Sequence, residues 1–96
     1  MLTIDVISKL VSPICKNYEI DRLYLFGSYA RGEATDKSDV DFRVDRGILT
    51  GFAFGGFYGE IQNTLGIPTD ILTTEQLSDK FLSEIKKYEV IIYERK

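Results

Sequence analysis

The chain has 96 residues, 44% of them hydrophobic, with 12 basic and 15 acidic side chains, no histidine and one cysteine. That is enough apolar material for one domain spanning residues 1–96 without disulfide staples, and the lack of imidazole and paired thiols excludes a soft metal site, leaving hard cations on oxygen. A net charge of −3 and a pI near 4.9 argue against a general nucleic-acid binder, which carries a basic patch, and favour a protein partner or a small substrate.

The opening Met1-Leu2-Thr3-Ile4-Asp5 has no basic flank of a signal peptide, and no apolar run approaches a membrane span, so a cytoplasmic protein is expected. Thr3 is placed to cap a first helix whose apolar positions Ile7, Leu10, Val11 and Ile14 follow a helical stripe. Pro13 is expected to kink that helix or mark a restart. Cys15, beside Ile14 and near Val11, reads as a buried thiol.

Residues Arg22 to Phe26 read as a first strand and Ser38 to Asp45 as a second. A short helix over Tyr29 to Glu33 between them argues against a simple hairpin. Alternation along the second strand puts Asp39, Asp41, Arg43 and Asp45 on one face and Val40, Phe42 and Val44 on the other, so one face is core and the other charged. Carboxylates two apart on a strand are separated by about 6.5–7 Å at Cα. Two-metal phosphoryl-transfer sites hold ions about 3.5–4 Å apart, a pair that converging carboxylates can bridge.

Upstream lies Leu25-Phe26-Gly27-Ser28-Tyr29-Ala30-Arg31-Gly32, an apolar strand running into a glycine-serine turn. Gly27 permits a tight turn or close ligand approach, and Ser28 offers a hydroxyl and an amide to phosphate. Arg31 is a further phosphate contact or an ordinary surface arginine, and Tyr29 reads as a packing residue. Ten residues separate Ser28 from Asp39, and a helix over Tyr29 to Glu33 advances only about 7–8 Å. Turn and carboxylates therefore stay within reach of one triphosphate.

After Thr50, the positions Phe54, Phe57, Tyr58, Ile61 and Leu65 form a long helical stripe that ends near Gly66, before Pro68. Gly51, Gly55, Gly56 and Gly59 each weaken that helix by up to about 1 kcal/mol against alanine. Either aromatic packing compensates, or the small residues admit a partner or nucleotide while Phe52 or Phe57 stays partly exposed. Pro68 to Thr73 reads as a short strand carrying Asp70. Thr73 with Gln76 matches a capping box for a helix carrying Leu77, Phe81, Ile85 and Tyr88, and Glu89 to Tyr93 as a last strand. Helix and strand alternate throughout, which predicts an α/β or α+β fold with a small mixed sheet covered by helices.

The Gly27-Ser28 turn with the downstream Asp39-Val40-Asp41 resembles the nucleotidyltransferase signature in its minimal (MNT) form, a family related to DNA polymerase beta. The resemblance covers nearly the whole chain. It implies the nucleotidyltransferase fold, with ATP over Gly27, Ser28 and Arg31, and two Mg²⁺ ions (or Mn²⁺) on Asp39, Asp41 and Asp70 as metal ligands and catalytic acids. Asp70 takes the third-acid position and activates the acceptor hydroxyl. Arg43 departs from the family, which commonly has an apolar residue there. Its roles as a salt bridge to Asp45 or as a triphosphate contact stay open. Asp36, Asp45 and Glu33 read as solvated or supporting acids.

Larger members carry recognition domains for which 96 residues leave no room. In the MNT family the acceptor is a separate HEPN toxin whose tyrosine is adenylylated and whose RNase activity is thereby silenced. The expected function is accordingly that of an antitoxin. The alternatives are a small-acceptor enzyme of the aminoglycoside-modifying kind, or an antitoxin that neutralises its partner by binding alone.

Overall fold

The computed structural model describes residues 2–96. Helix α1 (Ile4–Asn17) leads to strand β1 (Arg22–Phe26), the one-turn helix α2 (Gly27–Arg31) and strand β2 (Val40–Asp45). Helix α3 (Gly51–Leu65), strand β3 (Thr69–Thr73), a short 3-10 turn (Thr74–Gln76), helix α4 (Asp79–Ile85) and strand β4 (Val90–Glu94) complete it. The four strands form one mixed sheet in the order β3-β2-β1-β4.

Side-chain caps set the helix starts. The Thr3 hydroxyl accepts the Val6 N–H at 3.1 Å, and Thr50 does the same for Ala53 at 3.4 Å. Each satisfies an amide that the first helical turn leaves without a carbonyl. Helix α3 ends as expected at Gly66, whose φ of 72° is left-handed. Of the two outcomes expected at Pro13, the restart does not occur: α1 continues through it. That residue is exposed, so its ring lies on the solvent side of the helix.

One face of the sheet carries the core. Leu23 and Leu25 of β1, Val40, Phe42 and Val44 of β2, Ile71 of β3 and Ile92 of β4 pack with Ile7, Val11, Ile14 and Cys15 of α1 and Phe57, Ile61 and Leu65 of α3. Full burial of such a side chain contributes about 1.5–3 kcal/mol, so the alternation in β2 fixes which face turns inward.

Two expectations are corrected. Strands β1 and β2 are direct antiparallel neighbours, Arg22 opposite Asp45 through Phe26 opposite Asp41. The segment holding α2 returns close enough for the ladder to form. The Thr73–Gln76 capping box exists, with the Gln76 side chain accepting the Thr73 N–H at 3.0 Å, but it closes the 3-10 turn. Helix α4 has its own cap in Ser78, whose hydroxyl accepts the Phe81 N–H at 3.1 Å. Its stripe does not enter the core: no α4 residue is buried.

Candidate active site

Strand directions gather the chemistry at one end of the sheet. Because β1 is antiparallel to β2 while β2 and β3 are parallel, the end of β1 lies beside the starts of β2 and β3. Phe26 stands opposite Asp41, and Asp41 opposite Asp70. Neighbouring strands lie about 4.7–4.9 Å apart, so these two carboxylates leave adjacent backbones. Asp39 lies just before β2, and Pro68 accepts the Val40 N–H at 3.0 Å, tying the start of β2 to the approach to β3.

Gly27 follows directly at the tip of β1 with a φ of 75°. A β-carbon there would overlap the Asp41 carboxylate, so the turn and this acid are in close contact. Tyr29 is buried as a packing residue. Arg31 is exposed, and its guanidinium donates to Glu33 at 2.8 Å.

Asp41 is half-buried, whereas Asp39 and Asp70 are exposed. Burial, then the negative charges of Asp70 and Asp39, push the Asp41 carboxyl up to about 6, against an opposing pull from Arg31. Asp70, Asp39 and Arg31 therefore all act electrostatically on Asp41. Among the described residues, no three His, Cys, Asp or Glu side chains stand together as a ready metal cluster. The expected ligand trio is not preassembled among the described residues: Asp39 and Asp70 are solvent-facing. The donor set nonetheless fits a hard cation, being all carboxylate oxygen and mutually repelling until positive charge is supplied.

A shallow, open cleft of about 450 Å³ adjoins the acids on the β3 side, where Asp39 and Asp70 meet Gln62 and Asn63 from the end of α3. Tyr58, read from the sequence as a core residue of the α3 stripe, belongs to this region. Its hydroxyl donates to the Thr69 carbonyl at 2.7 Å. Burial, with the charges of Asp70 and Asp41 nearby, raises that hydroxyl above the ordinary tyrosine value. The signal in the sequence was the stripe's only hydroxyl-bearing ring, which needs a polar partner when its body packs.

Arg43 is settled by its surroundings. It is buried, donates to both Glu89 oxygens at 3.1 and 2.7 Å and to the Thr74 hydroxyl at 3.0 Å, and lies over the Tyr24 ring at 3.9 Å. Asp45 is a more distant partner at 3.6 Å. The guanidinium thus braces β2 against the segments flanking α4, with each of its three nitrogens already donating.

Fold and site together define a nucleotidyltransferase. Residues 9–96 match the family model described as polymerase beta, nucleotidyltransferase, and the chain belongs to that family. A protein of Methanocaldococcus jannaschii, provisionally named protein adenylyltransferase, is 31% identical over 88 residues, covering 86% of this chain and 95% of its own. A crystal structure of a toxin–antitoxin with AMP-PNP superposes with a TM-score of 0.76 at 17% identity, over 93% of this chain and 74% of that one. The complex of tri-AMPylated Shewanella oneidensis HEPN toxin with MNT antitoxin gives a TM-score of 0.71 at 14% identity, over 97% and 74%. At these identities the structural likeness establishes the shared fold.

No described helix is long and apolar enough to cross a membrane.

Proposed function

We propose that this nucleotidyltransferase moves AMP from ATP to a tyrosine hydroxyl of a HEPN-type partner toxin and thereby acts as its antitoxin. The observation that carries the reading is the meeting of Gly27 with Asp41 at the strand ends, where Asp70 lies next to Asp41 in register. The name of the Methanocaldococcus relative and the AMPylated partner in the Shewanella complex support AMP as the transferred group and a protein as its acceptor. The openness of the cleft beside Asp70 also supports an acceptor brought by another surface.

In this reading Gly27 and Ser28 receive the triphosphate and Arg31 adds positive charge at its flank. Mg²⁺ or Mn²⁺, as two ions on Asp39 and Asp41 with help from Asp70, would supply charge neutralisation for the phosphates. Asp70 takes the acceptor proton as the hydroxyl oxygen bonds to the α-phosphorus. The bond from that phosphorus to the oxygen bridging to the β-phosphate breaks, and pyrophosphate leaves. Tyr58, anchored to Thr69, steadies the strand that carries Asp70. Most of the acceleration then comes from in-line positioning and fixed electrostatics.

The test is co-expression with the partner followed by intact-mass spectrometry. Wild type is expected to add one or more AMP units. Asp39→Asn and Asp41→Asn keep their shape but lose ligand charge, and should transfer about 10²–10³-fold more slowly. Asp70→Asn should still bind nucleotide yet fail to transfer. Full protection of cells by the Asn variants would replace the enzymatic reading with neutralisation by binding. An unmodified partner beside efficient AMP transfer to a small hydroxyl compound would replace it with the small-acceptor enzyme.

A further inference from the structure

The apolar stripe of α4 and of the turn that follows it poses a packing question. Phe81, Ile85 and Tyr88 recur at helical spacing, which ordinarily marks a face turned to the core. Yet Phe81 is 41% and Tyr88 59% exposed. The stripe instead overhangs the sheet face that carries Asp41. The Phe81 ring meets Phe26 edge-on at 6.0 Å between centroids, and the space left beneath the overhang is a pocket of about 290 Å³. It is lined by Phe26, Phe81, Ile85 and Tyr88 with one acid, Glu84, and it runs onto Gly27 and Arg31.

That pocket lies on the opposite side of Gly27 and Asp41 from the acceptor cleft, because α4 leads into β4, the neighbour of β1, while the cleft borders β3. Its mostly apolar walls offer few donors to phosphate oxygens, but they present two partly open aromatic rings. A flat, π-rich and weakly hydrated group fits them, since base–aromatic stacking needs only a ring face and tolerates an open edge. Continuity with the turn limits which such group can arrive: it must be tethered to phosphates resting on Gly27.

We infer that the α4 overhang is the base pocket, in which Phe81 and Tyr88 hold the purine ring of the nucleoside triphosphate. This assignment rests on the nucleotide reading of the Gly27 turn. It explains why α4 keeps an apolar face without burying it, and it gives the bidentate Arg43–Glu89 pair a purpose. Glu89 directly follows Tyr88, so the pair fixes the far end of the pocket wall to the strand that carries Asp41.

The experiment compares two probes, ATP and inorganic tripolyphosphate, each with Mg²⁺, by titration calorimetry on the full chain. Phe81→Ala and Tyr88→Ala remove exposed rings, so folding is spared; circular dichroism confirms it. Phe52→Ala, which removes a fully exposed ring outside this pocket, is the control. Wild type is expected to bind ATP more tightly than tripolyphosphate. Each pocket variant should weaken ATP about tenfold, leave tripolyphosphate unchanged and so erase the difference, while the control changes neither. Unaltered ATP affinity in both pocket variants overturns the base pocket and leaves the nucleotide site standing. Loss of both probes in equal measure would assign the rings to the shape of the turn. A wild-type chain that binds neither probe overturns the pocket and the nucleotide reading together.

Discussion

Gly27 concentrates two constraints in one residue. Its φ of 75° costs an L-residue about 1–2 kcal/mol, and any side chain there would collide with the Asp41 carboxylate. Gly27→Ala is therefore expected to lower stability by about 1–3 kcal/mol in urea unfolding and to cut nucleotide transfer more sharply than strain alone accounts for, because Asp41 must move. An alanine variant with wild-type transfer would show that this contact does not order the site. The turn at Gly27 and the place of Asp41 on the strand beside it were legible in the sequence because they are local: a glycine needed for backbone shape and an acid at an alternating strand position. Tyr58 and Arg43 were not. Their roles depend on partners far along the chain, Thr69 and Glu89, and a stripe or an alternation pattern carries no record of such partners. Cys15 was read correctly as buried, and burial pushes its thiol up to about 12, far from reactive thiolate.

At the scale of elements, strand β3 lies at the edge of the sheet, where unpaired backbone groups invite another strand. Side chains cover part of that edge: the Tyr58 hydroxyl takes the Thr69 carbonyl and Gln76 takes the Thr73 amide. The same capping box misplaced the start of α4 in the sequence reading, since a Thr-x-x-Gln pattern reports a turn of backbone and not how long the helix continues. The glycines of α3 divide in a similar way. A β-carbon on Gly56 would meet the Tyr18 hydroxyl at 3.2 Å, whereas one on Gly55 or Gly59 would meet nothing within 4 Å. Packing thus accounts for Gly56 alone. Gly55→Ala and Gly59→Ala are each expected to stabilise the fold by about 0.5–1 kcal/mol, seen as a Tm several degrees higher, and Gly56→Ala to gain less. Stabilised variants that no longer protect cells from the proposed partner toxin would place that partner on this helix. Unchanged protection would leave the two glycines without a functional reason.

Across the whole molecule, the strand order brings Asp39 and Asp70 to bear on Asp41, and this grouping is expected to tie folding to pH and, in the proposed reading, to cations. Asp41 sits near the usual carboxylate range when unfolded but is pushed up to about 6 when folded, first by burial and then by Asp70 and Asp39. Between those two values the folded chain binds a proton that the unfolded chain does not. Asp41 therefore makes the metal-free protein more stable as pH falls from neutrality through about 6, and the gain is complete only below the unfolded value. A divalent cation acts in the opposite sense: it needs the ionised carboxylates, so its stabilisation is expected to be largest at pH 7–8 and to fade toward pH 5 as protons compete. Thermal melts from pH 5 to 8, with Mg²⁺ and with EDTA, would show the two curves converging at the acidic end. Asp41→Asn cannot ionise and should flatten the EDTA curve while removing most of the Mg²⁺ gain. Equal Mg²⁺ stabilisation at pH 5 and pH 8, or the same gain in Asp41→Asn, would mean that the ion binds elsewhere on this acidic chain and that the strand-end acids do not hold it.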